Sequence, residues 1–383
     1  MFLQQALDGN GGVFNPYDGY LHLVPRIIAG LTVAAIPPSG YAMSMNLLSC
    51  LTVALVAALV FHCSRELDER LHTRIALASL VLLISSGPLE TTGNTANLHW
   101  YLLFATPWLL FKRPGSRGEA LILLLAGAAI SLTEILSVIF VPLALVRHRD
   151  KAFWPARVGL LLGLLCQLCA TSLNPRVTNE SEPLELGSTV TGWFVNAVGT
   201  PILGETSHIG ALVNGYGWLP LAASAALFVA AFALVMRMGT PQHRLAAVVV
   251  LGASITLWAA TQIVNPTPLL DYANFTSADW AEARHSRYAV PTSMFVMALV
   301  PLAMSVLPKQ RVVAGTVLLA VFFSVQALTL LPSETARSGG PDWSEATESA
   351  VGKCHRGAQE VVLPAAPKGW ASGGVRIPCE KLR

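Results

Sequence analysis

The chain has 383 residues, of which 53% are hydrophobic and only 12% charged, with a net charge of +3. A soluble domain normally carries about a quarter charged residues, so lipid rather than water is the expected solvent for most of this one. The small net charge gives no reason to expect a nucleic-acid partner, and no glycine-rich phosphate loop or dinucleotide fingerprint is present.

In chain order, residues 1–39 form a polar N-terminal segment. Met1 to Gly19 has no apolar core, so no cleavable signal peptide is expected there. Asn15-Pro16 reads as a helix start, an Asn cap followed by Pro. From there Tyr17, Tyr20, Leu21, Val24 and Ile28 make an apolar stripe, and Asp18, His22 and Arg26, four apart, share another face. A surface helix is predicted, showing a carboxylate, an imidazole and a guanidinium to one place; Asp8 is the other carboxylate nearby.

The membrane domain, residues 40–331, holds apolar stretches near 40–63, 73–88, 99–111, 118–132, 134–147, 154–173, 216–237, 244–264, 287–307 and 312–331, about ten spans. Basic residues concentrate in every second connection: Arg65, Arg70 and Arg74; Lys112, Arg113 and Arg117; Arg147, Arg149, Lys151 and Arg157; Arg237 and Arg244; Lys309 and Arg311. The positive-inside rule makes these turns cytoplasmic, which sends residues 1–39, 88–99, 174–215, 265–286 and 332–383 to the other side. The expected architecture is therefore an all-α, polytopic membrane protein, with an outer-surface N-terminal helix and a small extracytoplasmic tail.

Polar residues gather in these outer connections. Gly87 to Trp100 carries Glu90, Asn94, Asn97 and His99, the amides, carboxylate and aromatic ring usual for sugar hydroxyls. Glu134 sits in a short turn so near the membrane that it needs hydration or a partner. Asp279 to Tyr288 brings Arg284, His285, Arg287 and Tyr288 to the mouth of a span, a set suited to a phosphate or pyrophosphate. The connection 174–215 carries Glu180, Glu182, Glu185, Glu205 and His208, with Trp193 and Phe194 as anchors. These residues single out no cofactor, and a divalent cation stays open. Were a divalent cation used, Glu205 and His208 are a generic ligand pair. Cys166 and Cys169 form a CxxC inside a Leu-rich run, where small hydrophobes are expected. Cys354 and Cys379, in the tail at 332–383, are expected to form a disulfide.

An acidic outer segment ahead of the early spans, a polar second outer loop and an Arg-Tyr pair entering a late span resemble the GT-C superfamily of membrane glycosyltransferases. The resemblance covers about residues 1–331; Trp343, Cys354, Trp370 and Cys379 look like the small tails of uncharacterised actinobacterial proteins of this type. It implies transfer of a sugar from a polyprenyl-phosphate carrier to an envelope glycan or glycolipid. Asp18, with Asp8 or Glu90 as the other candidates, would be the catalytic carboxylate. Arg284, His285, Arg287 and Tyr288, with His22 and Arg26, would hold the lipid phosphate. Asn94, Asn97, His99 and Glu134 would meet the acceptor. GT-C enzymes also carry a helix ahead of the first outer loop, which this sequence does not show. Two other classes stay open: an O-antigen ligase or polymerase type of enzyme, and a lipid or solute transporter.

Overall fold

The computed structural model describes residues 1–175, 185–284, 286–308, 312–330, 338–366 and 374–382. Glu180, Glu182, His285, Lys309, Arg311 and Trp370 lie outside the described residues, as does most of the linker that begins at Ser333. Helices dominate: α1 Phe2–Leu7, α2 Leu23–Ala35, α3 Tyr41–Cys63, α4 Leu71–Leu83, α5 Gly87–Glu90, α6 Leu98–Phe111 and α7 Arg117–Ser131. They continue with α8 Val141–Leu145, α9 Trp154–Leu173, α10 Leu186–Trp193, α11 Thr200–Leu203, α12 Thr206–Tyr216, α13 Leu219–Met238 and α14 Pro241–Val264. After α15 Ser277–Glu282 come α16 Ala289–Met297, α17 Leu299–Ser305, α18 Val312–Thr329 and α19 Trp343–His355, then β1 Glu360–Leu363 and β2 Val375–Pro378.

Lipid as solvent is legible in which side chains face out. On α3, Leu47, Leu51 and Leu55 are 59%, 54% and 62% exposed, whereas Val56 and Val60 of the same helix are buried. An apolar stripe turned outward along a helix is the reverse of a water-soluble pattern. Among the described residues, four helical segments are long and apolar enough to cross a membrane alone: Pro38–Glu66, Lys151–Leu173, Leu219–Met238 and Pro241–Val264. The other apolar helices among the described residues are shorter, so of the ten expected spans only these four are shown at full length. The 13 residues of α4 rise only about 20 Å, well under the hydrocarbon thickness. The stretch 134–147 is a 3₁₀ turn, Ile135–Phe140, followed by the short α8. The stretch 287–307 is divided at Ala298 into α16 and α17.

Two of these short elements occupy the centre. Every residue of α6 is buried, as is every residue of α16. A helix that is apolar on all sides has no face to give to lipid and is surrounded by other helices. Phe104 of α6 meets Phe295 of α16 at 5.3 Å between ring centroids. Because α6 and α16 start side by side, the polar residues at their first turns open into the mouth of the bundle and not onto its rim.

Beside them, α7 and α9 pack backbone to backbone through small residues. A Cβ on Gly127 would stand 2.5 Å from the Ala156 carbonyl oxygen, and one on Gly159 would overlap the Leu124 carbonyl and lie 3.0 Å from the Ala128 nitrogen. Gly159 and Gly163 give α9 the GxxxG spacing used for close helix approach in lipid.

The tail forms a second, smaller core. A disulfide joins Cys354 to Cys379, and β1 pairs antiparallel with β2, Val361 opposite Ile377. This hairpin packs with α19 against Leu7 and Tyr41, so the tail and the N-terminal segment share one core. Gln4 exchanges two hydrogen bonds with the Arg376 backbone, and the Trp343 indole donates to the Pro38 carbonyl at 2.8 Å.

Candidate functional site

The N-terminal segment departs from its expected helix. Tyr17 and Tyr20 pair across a two-residue turn, with backbone bonds of 2.9 and 3.2 Å. Its central residues, Asp18 and Gly19, have φ of +49° and +87°. Asp-Gly is the preferred pair for a type I′ turn, which needs positive φ at both positions. That local preference overrides the Asn15-Pro16 helix start, and α2 begins only at Leu23, after His22. Asp18, His22 and Arg26 are therefore not three residues of one helix face.

The hairpin is latched to the bundle at long range. Gln167 of α9 accepts from the Leu21 N–H at 2.8 Å and donates to the Leu21 carbonyl at 3.0 Å. The Leu132 carbonyl accepts from Leu23, and the Thr133 hydroxyl accepts from Val24. These bonds place the Asp18 turn over the end of the bundle where α6 and α16 begin.

A cavity of about 460 Å³ results, with residues of seven chain stretches in its wall, Met1, Phe2 of α1 and Thr171 of α9 among them. Asp18, Tyr20 and His22 come from the hairpin, Asn97, His99 and Trp100 from the start of α6, and Glu134 from the turn after α7. Arg287 and Tyr288 precede α16, while Thr261 and Asn265 end α14. Glu134 is buried, caps its own turn by accepting from the Leu136 N–H at 2.9 Å, and turns its other oxygen to His99 Nε2 at 3.8 Å. Arg287 pairs with Glu90 at 3.3 Å and donates to the Tyr288 hydroxyl at 3.3 Å. Trp100 packs edge-on to Tyr288 at 5.6 Å, so aromatic rings and charged groups alternate around the wall.

The remaining candidates fall elsewhere. Asp8 accepts from the Gln4 amide on the far side of α1, outside the cavity wall. Glu90 stands one ion pair behind the wall, through Arg287. Asn94 caps the turn Thr95–Asn97 by accepting from Ala96. Arg26 is buried in the first turn of α2, its guanidinium 5.7 Å from the Phe2 ring. Arg284 is exposed and outside the wall, because the short α15, fixed by a Thr276–Asp279 capping box and the buried Trp280, ends just before it. Residues 186–216 form helices and a π-turn, and the Phe194 to Gly199 stretch buries Val195 to Gly199. His208 faces the Leu203 carbonyl at 2.9 Å, and among the described residues no group of three His, Cys, Asp or Glu residues converges. Nothing in the local sequence marks Trp100, Thr261 and Asn265 as site residues, and the one signal for Gln167 is an amide in a Leu-rich helix.

His22 is 4% exposed, and neither ring nitrogen has a hydrogen-bond partner of ordinary geometry among the described residues. Burial first, and then the Arg26 charge, push its imidazole down to about 4, while the Tyr17 backbone works weakly the other way. The ring is neutral at pH 7. An unfolded histidine titrates near 6.5, so on acidification the unfolded chain takes up this proton first. The contribution of the neutral ring is complete above about pH 6.5 and is lost as pH falls toward 4, by up to about 3 kcal/mol. Melting temperatures in detergent should decline over that window, and less steeply for His22→Gln; equal slopes for the two proteins would contradict this.

No family model, no curated protein and no solved structure matches this chain.

Proposed function

We propose that the protein is a membrane glycosyltransferase that takes a sugar from a polyprenyl-phosphate donor and passes it to a glycan or glycolipid acceptor outside the cytoplasm. The observation that carries this is the convergence of Asp18, Glu134, His99 and Arg287, from four separate chain segments, on one aromatic-lined cavity at a single end of an apolar bundle. A cavity lined by a cation, carboxylates and aromatic rings suits a phosphate, an attacking hydroxyl and a sugar.

In this reading Asp18 takes the proton from the acceptor hydroxyl as that oxygen attacks the anomeric carbon. Arg287, held by Glu90 and Tyr288, stabilises the departing phosphate. The Glu134–His99 pair positions the acceptor, and Trp100 and Tyr288 offer ring faces to the sugar. The basic turns at the opposite end support this sidedness. There Lys112 bridges Glu66 at 3.0 Å and Glu119 at 3.2 Å, and Arg70 donates to the Leu307 carbonyl.

Titration of the purified protein with a polyprenyl monophosphate tests the donor site. Arg287→Ala should weaken binding roughly 10- to 100-fold, the value of a charge-assisted contact. Arg284→Ala, exposed and outside the cavity, should bind like wild type. Absence of binding by wild type, or equal losses in the two variants, would remove the basis for this function.

A further inference from the structure

At the end of the bundle away from the cavity, where α6 finishes and α14 begins, lies a second pocket of about 130 Å³. Leu110, Leu143 and Leu245 line it together with Arg147 and Arg157. Arg157 is 2% exposed. One of its nitrogens, Nη2, donates to the Val146 carbonyl at 2.6 Å, but Nε and Nη1 have no hydrogen-bond partner among the described residues. Its guanidinium lies 5.2 Å from the Phe153 ring, and that of Arg147 lies 6.0 Å from the same ring. Two cations thus share one aromatic neighbour, and among the described residues no carboxylate is within ion-pair distance of either. Asp150 is the acidic group whose charge reaches Arg157, and it spends Oδ1 on the Ala152 N–H at 3.0 Å. Buried guanidinium donors left open in an apolar wall are costly unless an anion completes them.

We propose that this pocket binds the headgroup of an anionic phospholipid, its phosphate oxygens on Arg157 and Arg147 and its first methylenes against Leu110, Leu143 and Leu245. Arg157 keeps charged donors open at Nε and Nη1, on either side of the nitrogen that Val146 occupies, and charge-assisted donors of this kind are what phosphate oxygens accept from. The surroundings favour a lipid over free phosphate. Leu145 is 68% exposed and Trp154 37% exposed next to the pocket, the apolar and aromatic pairing of a membrane–water boundary. The turn itself carries Arg147, Arg149, Lys151 and Arg157 against the single acid Asp150, a bias that draws anionic headgroups.

Native mass spectrometry of the delipidated full chain in detergent tests this, with dioctanoyl phosphatidylglycerol, dioctanoyl phosphatidylcholine and inorganic phosphate as separate probes. A one-to-one phosphatidylglycerol complex is expected, several-fold tighter than with phosphatidylcholine or phosphate. Arg147→Ala should weaken it roughly fivefold, and Arg157→Gln roughly tenfold or more. Arg147 is exposed, so its variant remains informative even if Arg157→Gln fails to fold. Wild-type affinity in Arg147→Ala would overturn the proposal. So would phosphatidylcholine binding equal to that of phosphatidylglycerol, free phosphate binding as tightly as the lipid, or no lipid bound by wild type.

Discussion

Asp18→Asn is expected to lower sugar transfer by roughly 10²- to 10⁴-fold while leaving the melting temperature unchanged, the loss typical of removing a general base. The substitution is clean for a structural reason. Asp18 sits at φ +49°, in the left-handed region that Asn tolerates at least as well as Asp, so the turn keeps its shape and loses only its charge. Asp18→Ala would confuse the two effects by straining the turn. Asp8→Asn is the matched control, because that carboxylate bonds Gln4 outside the cavity. Assayed on any polyprenyl-phosphate sugar that the wild-type protein turns over, full activity in Asp18→Asn would assign proton removal to another carboxylate, with Glu134 next in line.

Gly159→Leu should cost about 4 kcal/mol or more and deplete folded, monodisperse protein after detergent extraction. A side chain there has no free volume, since its first carbon already overlaps the Leu124 carbonyl of α7. Backbone cannot retreat as a flexible side chain would, so α7 and α9 must separate. The damage reaches the cavity, because α9 carries Gln167 and α7 leads into Glu134. Gly252→Leu on α14 is the comparison, for nothing among the described residues lies within 4 Å of its Cβ position. If size-exclusion profiles and melting curves were the same for both leucine variants, close α7–α9 packing would not be what holds this side of the bundle.

Much of the site was legible one segment at a time. Asp18, His22, Asn97, His99, Glu134, Arg287 and Tyr288 stand out as polar residues between apolar runs, and the structure places all seven in one wall. Asp8, Arg26 and Arg284 stand out equally and are not in that wall. Nothing local separates the two sets. Asp18 and Asp8 differ because one occupies a turn folded over the bundle and the other caps a helix against the tail. The Asp18-Gly19 turn signal was present in the chain, but the helical spacing of Asp18, His22 and Arg26 competed with it. Positive φ at two successive residues decided the matter.

Composition and charge by themselves determined that this chain is apolar enough to suit lipid, that it is helical, and which connections share a basic character, because transfer free energy and the positive-inside bias act on each segment alone. Only the tertiary structure decided which helices are central and which polar groups meet. Helices α6 and α16 are apolar on every side, so no periodicity states which way His99 or Tyr288 will turn. The contacts that close the site join residues far apart in the chain, Leu21 with Gln167 and Glu90 with Arg287, separated by 146 and 197 positions. Such pairs are products of packing, in which each helix face is chosen by its neighbours.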